Sequence, residues 1–218
     1  MLYRKTVAPE TFRLLETISS IADLSEFSLT GGTALALQMG HRISVDLDFF
    51  GNKEFSPDEI VDLLQDLKPL TMISQRKNIL ILNVQNVKVD FVNYRYPLIA
   101  DLIREGSIRL HAPEDIAAMK LAAIAGRGRK RDFYDIHFLF SLFTLRQMMD
   151  YYNRKFEDGS EMMVARSLTF FEDADLDEMP NLVGELVPWP NVRHRILQEV
   201  RSLYLNWSEV VRALRSKS

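Results

Sequence analysis

The 218-residue chain contains no cysteine, which excludes disulfide bonds and thiolate metal sites and leaves any metal to histidine or carboxylate ligands. No stretch reaches the ~18 consecutive apolar residues of a membrane-spanning helix. The opening segment, Met1 to Leu15, lacks the apolar run of a signal peptide. A soluble, cytoplasmic protein without a membrane partner is expected. Neither sign of charge is in large excess: 27 basic against 30 acidic residues give a formal charge of -3, so nucleic acid must be drawn by a local patch rather than by the whole surface. One such patch is Arg127-Gly128-Arg129-Lys130-Arg131. Internal repeats and low-complexity tracts are also missing, while a hydrophobic content of 47% suffices for a core.

What is present reads as strands first and helices later. Pro9 opens a helix over about 9–22, and Phe27 to Thr30 forms a short strand running into Gly31-Gly32. Thr33 to Met39 supplies strong helix formers with Gly40 as the stop. A strand over 43–50 follows, and Ser56-Pro57-Asp58-Glu59 is a capping box that starts a helix to about Lys68, with Ile60, Leu63, Leu64 and Leu67 inward. Three β-prone runs, 70–76, 79–84 and 87–93, are parted by Lys77-Asn78 and Gln85-Asn86 and read as a meander. From Pro113 the pattern turns helical, over 113–126, 130–142, 145–156, 161–171 and 191–215. Between the last two, the acidic stretch Glu172 to Pro190 reads as a solvated loop, lacking the spacing and glycine of a calcium loop. The expected fold is α/β (α+β), a small mixed sheet flanked by helices in 1–110 and a helical region in 111–218.

The chemistry concentrates in the first half. In Ser44-Val45-Asp46-Leu47-Asp48-Phe49-Phe50, alternation puts Val45, Leu47 and Phe49 on one strand face and Asp46 and Asp48 on the other. Two carboxylates about 7 Å apart along a strand repel unless a cation lies between them. In 87–93, Val87, Val89 and Phe91 share one face and Lys88 and Asp90 the other, so Asp90 can join Asp46 and Asp48. Three aspartates on one sheet face are a hard oxygen site suited to Mg2+ or Mn2+. In a two-metal arrangement one ion activates a hydroxyl and the other steadies a pyrophosphate leaving group, with Asp90 on the nucleophile side and able to act as base.

Gly31-Gly32-Thr33 suits the phosphates of a nucleoside triphosphate, because glycine lets backbone approach closely and the following helix N-terminus offers amides. The Thr33 hydroxyl can add a donor. Lys120 is the candidate cation for the triphosphate, against the simpler reading of a surface lysine in an alanine-rich helix. Asp132 and Asp135, three residues apart on the next helix, can orient Lys120 or contact the nucleotide. They can equally pair with Arg129, Lys130 or Arg131. His41 and His137 read as packed or surface histidines. A lone Gly-Gly-Thr is an ordinary turn and a lone Asp-x-Asp an ordinary wet strand face, but solvation does not explain the ordered set.

Five segments carry a resemblance: Leu29-Thr-Gly-Gly-Thr-Ala-Leu35, Asp46-Leu-Asp-Phe-Phe50, Lys88-Val-Asp-Phe91, Pro113-Glu-Asp-Ile-Ala-Ala-Met-Lys120 and Arg131-Asp-Phe-Tyr-Asp135. In this order, over about 30–140, the chain resembles the AbiEii/AbiGii-like nucleotidyltransferases, toxins of type IV toxin–antitoxin systems within the DNA polymerase β-type superfamily. The resemblance implies metal-dependent transfer of a nucleoside monophosphate from a nucleoside triphosphate, with a tRNA 3′ end as acceptor in relatives and an antitoxin as partner. It implies a nucleotidyltransferase core in 1–110 and a helical region in 111–218 that completes the nucleotide site and contacts the acceptor. It places the first motif on Gly32, Thr33, Asp46 and Asp48, the third metal aspartate on Asp90, the lysine motif on Lys120, and the last motif on Asp135 or Asp132. Transfer to a small hydroxylated molecule or a protein, and a metal-free binding module, are the competing expectations.

Overall fold

Alternating apolar residues give a sheet one dry face, and here that face is built by Leu47, Phe49, Leu80, Leu82, Val89 and Phe91, all buried. The computed structural model describes residues 1–215, with side chains for 1–204. It contains two compact units, Met1–Ile116 with Asn181–Glu185, and Ala117–Pro180 with Leu186–Ser218.

The first unit is a mixed α/β structure. Its strands are β1 (Ser28–Thr30), β2 (Leu47–Gly51), β3 (Leu70–Arg76), β4 (Ile79–Val84), β5 (Val87–Asn93), β6 (Ile103–Glu105) and β7 (Ile108–Leu110). They form one seven-stranded sheet in the order β3-β4-β5-β2-β1-β7-β6. β2 runs parallel to β5 and β1 parallel to β7; all other neighbours are antiparallel. Helix α1 (Pro9–Ser20) packs beside β7, and α2 (Gly31–Met39) packs beside β1 and β2. Gly40 ends α2 at φ +74°, a left-handed stop that glycine adopts without strain.

The meander strands fall on the expected residues, and Gln85 and Asn86 turn the last hairpin with positive φ at both positions. Helix α3 (Pro57–Leu63) starts at the expected cap, the Ser56 side chain accepting the Glu59 N–H. It ends earlier than expected, and Leu63 faces outward while Ile60 and Leu64 are buried.

Two departures from expectation matter for the site. The strand expected over 43–50 begins only at Leu47, leaving Val45 61% exposed and Asp46 just ahead of the strand. The backbone of 41–44 is committed elsewhere: Ile43 N–H donates to the Asn181 carbonyl, Ser44 N–H to the Thr6 carbonyl, and Val183 N–H to the His41 carbonyl. The sheet also gains β6 and β7, a hairpin turned at Gly106 with φ +61°. Leu110 pairs with Leu29 and so extends the sheet past β1.

Helix α4 (Pro113–Gly126) carries the chain into the second unit, which continues with α5 (Lys130–Leu139), α6 (Leu145–Lys155), α7 (Glu161–Ser167), the short α8 (Glu172–Asp175) and α9 (Trp189–Arg215). Thr144 and Gln147 form the reciprocal capping box at the start of α6. Trp189 stacks on Tyr134 and meets Phe133 and Phe171 edge-on. The Tyr134 hydroxyl donates to the Val187 carbonyl at 2.8 Å, and burial holds its pKa above the usual tyrosine value.

The 172–190 stretch is a largely exposed loop, as expected, but it opens with the short α8 and is pinned by side-chain bonds. Asp175 accepts from Trp189 Nε1 at 2.5 Å and pairs with Arg193 at 3.2 Å, while Asp177 pairs with Arg129 at 3.1 Å.

Phe91 stacks on Phe49 at 5.3 Å and takes Phe27 edge-on at 5.2 Å. Replacing it with alanine opens a cavity in the sheet's dry face, and Phe91→Ala is expected to lower unfolding free energy by about 3–5 kcal/mol, read from urea denaturation.

Candidate active site

The parallel register of β2 and β5 places Leu47 opposite Val89, Asp48 opposite Asp90 and Phe49 opposite Phe91. Paired residues on adjacent strands share a face, with backbones about 4.8 Å apart. Phe49 and Phe91 face the core, so Asp48 and Asp90 stand abreast on the other side. Lys88, two residues before Asp90 and on its face, places Nζ 2.6 and 2.5 Å from the two carboxylate oxygens. A cation thus already neutralises one of the two negative charges.

Asp46 precedes the strand and is half-buried. Its carbonyl accepts the Thr33 hydroxyl, which is also hydrogen-bonded to Ser44 Oγ at 2.8 Å. The expectation that Thr33 offers its hydroxyl to phosphate is thereby corrected. That hydroxyl is buried, and it fastens the aspartate-bearing segment to α2.

The glycine turn fits closely against the same carboxylates. Gly31, the first residue of α2, has φ +69°, and a Cβ there would stand 2.6 Å from Asp48 Oδ2. Glycine is needed twice over, for the left-handed backbone and for the approach of Asp48. A Cβ on Gly32 would collide with Nη2 of Arg42. Arg42 is buried, and its Nη1 donates to the Ile43 carbonyl at 3.1 Å. Neither Arg42 nor Ser44 stands out from the sequence; the available signal is an arginine and a hydroxyl in the short connection between the Gly40 stop and the carboxylate strand.

Carboxylate oxygens side by side on adjacent strands are the donors that Mg2+ and Mn2+ prefer, and Asp48 and Asp90 meet that requirement. Among the described residues, no three histidine, aspartate or glutamate side chains are gathered into a ligand set. Asp46 lies ahead of the strand, and Asp90 is engaged by Lys88.

In the second unit, Lys120 is buried and not a surface lysine. Its Nζ lies 2.6 Å from Asp132 Oδ1 and 2.6 Å from Asp135 Oδ2, and both aspartates are buried. Both aspartates hold Lys120 at the same distance. Asp132 Oδ2 is buried with no hydrogen-bond partner among the described residues. The basic segment next to them is partly neutralised: Arg129 pairs with Asp177, and Lys130 is buried with Nζ on the Asp175 and Asp177 carbonyls. Arg127, Arg129 and Arg131 are exposed, so Lys130 alone is withdrawn from the basic patch. His41 is buried, as a packed histidine should be.

Two outcomes follow from this geometry. Gly31→Ala is expected to cost about 1–2 kcal/mol from the left-handed backbone alone and to displace Asp48, measurable by urea denaturation. Lys120→Met strands two buried carboxylates without their cation and is expected to cost about 3–5 kcal/mol, visible as a lowered thermal midpoint.

The profile of one family, described as nucleotidyl transferase AbiEii toxin of type IV toxin–antitoxin systems, matches residues 13–200. An uncharacterised protein of Aquifex aeolicus is 35% identical over 166 residues, covering 73% of this chain and 81% of its own. Among solved structures, one from H. pylori superposes with a TM-score of 0.57 at 15% identity, covering 92% of this chain and 95% of that one. The MenT4 nucleotidyltransferase toxin of Mycobacterium tuberculosis superposes with a TM-score of 0.54 at 16% identity, covering 89% and 86%. These two likenesses concern the fold, whereas the family profile spans the glycine turn, the strand aspartates and the Lys120 cluster together: the chain belongs to the AbiEii nucleotidyltransferase toxin family.

Proposed function

We propose that this family member transfers a nucleoside monophosphate from a nucleoside triphosphate to a hydroxyl of RNA, with tRNA as the acceptor and an antitoxin protein as its cellular partner. The observation that carries the reading is the pair Asp48 and Asp90, abreast on one sheet face, with Asp48 seated against the Gly31 turn. Asp48 and Asp90 are the residues that would hold Mg2+ or Mn2+, with Asp46, just ahead of β2, as the proposed third. A bound divalent ion supplies charge neutralisation and activation of the hydroxyl.

The chain's own groups have separable tasks. The Gly31-Gly32 turn and the amides at the start of α2 receive the phosphates that leave as pyrophosphate. Asp90 takes the proton of the acceptor hydroxyl as its oxygen bonds to the α-phosphorus; the bond from that phosphorus to the bridging oxygen breaks, and pyrophosphate departs with the electron pair. Lys120, held between Asp132 and Asp135, is the proposed phosphate-binding cation of the second unit. Thr33, its hydroxyl bonded to the Asp46 carbonyl and to Ser44 Oγ, positions Asp46 through its backbone.

Each of the four nucleoside triphosphates, labelled at the α-phosphate, is incubated with separate RNA, protein and small-molecule pools. Label is expected in RNA, dependent on a divalent ion. Asp46→Ala is expected to abolish incorporation with an unchanged circular dichroism spectrum; incorporation at the wild-type rate would reject the metal assignment. Label confined to the protein or small-molecule pool would move the acceptor to that class.

A further inference from the structure

The carboxylate face of the sheet continues past Asp48 and Asp90 into a row of aromatic rings. The next row across it is Phe50, Val92, Ile79 and Arg76, paired in register from β2 through β5 and β4 to β3. Tyr94 follows Val92, and its N–H donates to the Gly51 carbonyl, so the pairing of β2 and β5 runs one step beyond the strands. Phe50 and Tyr94 have ring centroids 4.9 Å apart, and Tyr94 and Tyr96 again 4.9 Å. Tyr96 is 49% exposed. Burial first, then Tyr96 and Asp115, hold the Tyr94 hydroxyl well above the usual tyrosine range, so this ring stays neutral.

The segment after the row is tied down. Asp115, fully buried, accepts the Ile99 N–H at 3.0 Å and the Ala100 N–H at 3.1 Å. At the same end of the sheet, Arg76 and Lys77 are exposed and make no ion pair among the described residues.

Direction along the sheet assigns an occupant. Thr30 pairs with Asp48 on antiparallel strands, so Gly31 lies toward the N-terminal end of β2, while Phe50 and Tyr94 lie toward the C-terminal end. In phosphoryl transfer the attacking and leaving oxygens are roughly in line. With the leaving phosphates at the Gly31 turn, the incoming hydroxyl belongs on the aromatic side of the carboxylates. We infer that Phe50, Tyr94 and Tyr96 form a stacking platform for the terminal nucleobase of a single-stranded RNA acceptor, with Arg76 beside its phosphates. The inference rests on the proposed function for the place of the leaving group. Neutral rings on the sheet face that carries exposed Arg76, which makes no ion pair among the described residues, match what such a strand offers, a base face every nucleotide and a charged backbone.

The test uses the full chain and a short single-stranded RNA whose 3′-terminal base is 2-aminopurine, a fluorophore quenched when stacked. Wild type is expected to quench it. Tyr96→Ala is expected to lose most of the quenching and to bind RNA about tenfold more weakly; Tyr96→Phe keeps both. Nucleoside triphosphate affinity is expected to be equal in all three proteins. Arg76→Gln is expected to reduce the salt dependence of RNA binding by about one counterion.

Quenching and RNA affinity that ignore Tyr96→Ala would overturn the platform, even if RNA is labelled in the transfer assay. A fall in triphosphate affinity in Tyr96→Ala would overturn it too, by giving the rings to the donor's base. Quenching that follows Tyr96 without any transfer to RNA supports the platform and rejects the proposed transfer alone.

Discussion

The site depends on one register, that of β2 against β5. Strand side chains repeat with period two, so the pairing that stacks Phe49 on Phe91 necessarily sets Asp48 beside Asp90. A one-residue slip of β2 against β5 would turn Asp48 into the core and Phe49 into water while Asp90 and Phe91 kept their faces. The energies decide the matter: burying an aromatic side chain is worth roughly 1.5–3 kcal/mol, whereas a like-charged cross-strand pair on a wet face costs on the order of 1 kcal/mol or less. The apolar face wins, and the carboxylates are held together by a core in which they take no part. Rigidity at a charged site is thus borrowed from the opposite side of the same strands.

Around that pair the chain arranges cations and close backbone. Lys88 meets Asp90, the Arg42 guanidinium lies against Gly32, and Gly31 leaves room for Asp48. Any side chain at either glycine would have to displace a charged group. The segment from His41 to Asp46 makes this possible because its own backbone bonds go to Thr6 and to residues 181 and 183 rather than into the sheet. Free of the pleat, it can bring a guanidinium and a hydroxyl to the glycine turn from a single short connection.

Much of this was legible in the sequence. Strands β4 and β5 alternate cleanly over six and seven residues, β3 is marked instead by its β-prone composition between turn signals, and α1, α3 and α6 begin at proline or capping-box signals. The shared face of Asp48 and Asp90 follows from the same alternation once the strands are neighbours. Less legible were features set by distant partners. β6 and β7 are three residues each, too short for a pattern. The start of β2 was displaced because Ile43 and Ser44 bond to residues far away in the chain, which periodicity cannot register. In the second unit, the acidic stretch read as a solvated loop and the basic segment as a patch for nucleic acid, yet Asp177 joins Arg129 and Lys130 across nearly fifty residues. Lys120 stood out as a cation in an alanine-rich helix, but its burial was not legible, because its two carboxylate partners lie on the next helix.

The return of Asn181–Glu185 to the first unit has a consequence for the order in which the molecule is made. A chain leaving the ribosome can pair its strands once residue 110 has emerged, since all seven lie before that point. The connection that carries Arg42 and leads to the carboxylates waits longer. Its bonds at His41 and Ile43 need residues 181 and 183, which are synthesised about seventy positions after the last strand. An interrupted or prematurely terminated chain would therefore carry the sheet without the completed backbone that frames its carboxylates, and full assembly of this region is tied to synthesis of most of the protein.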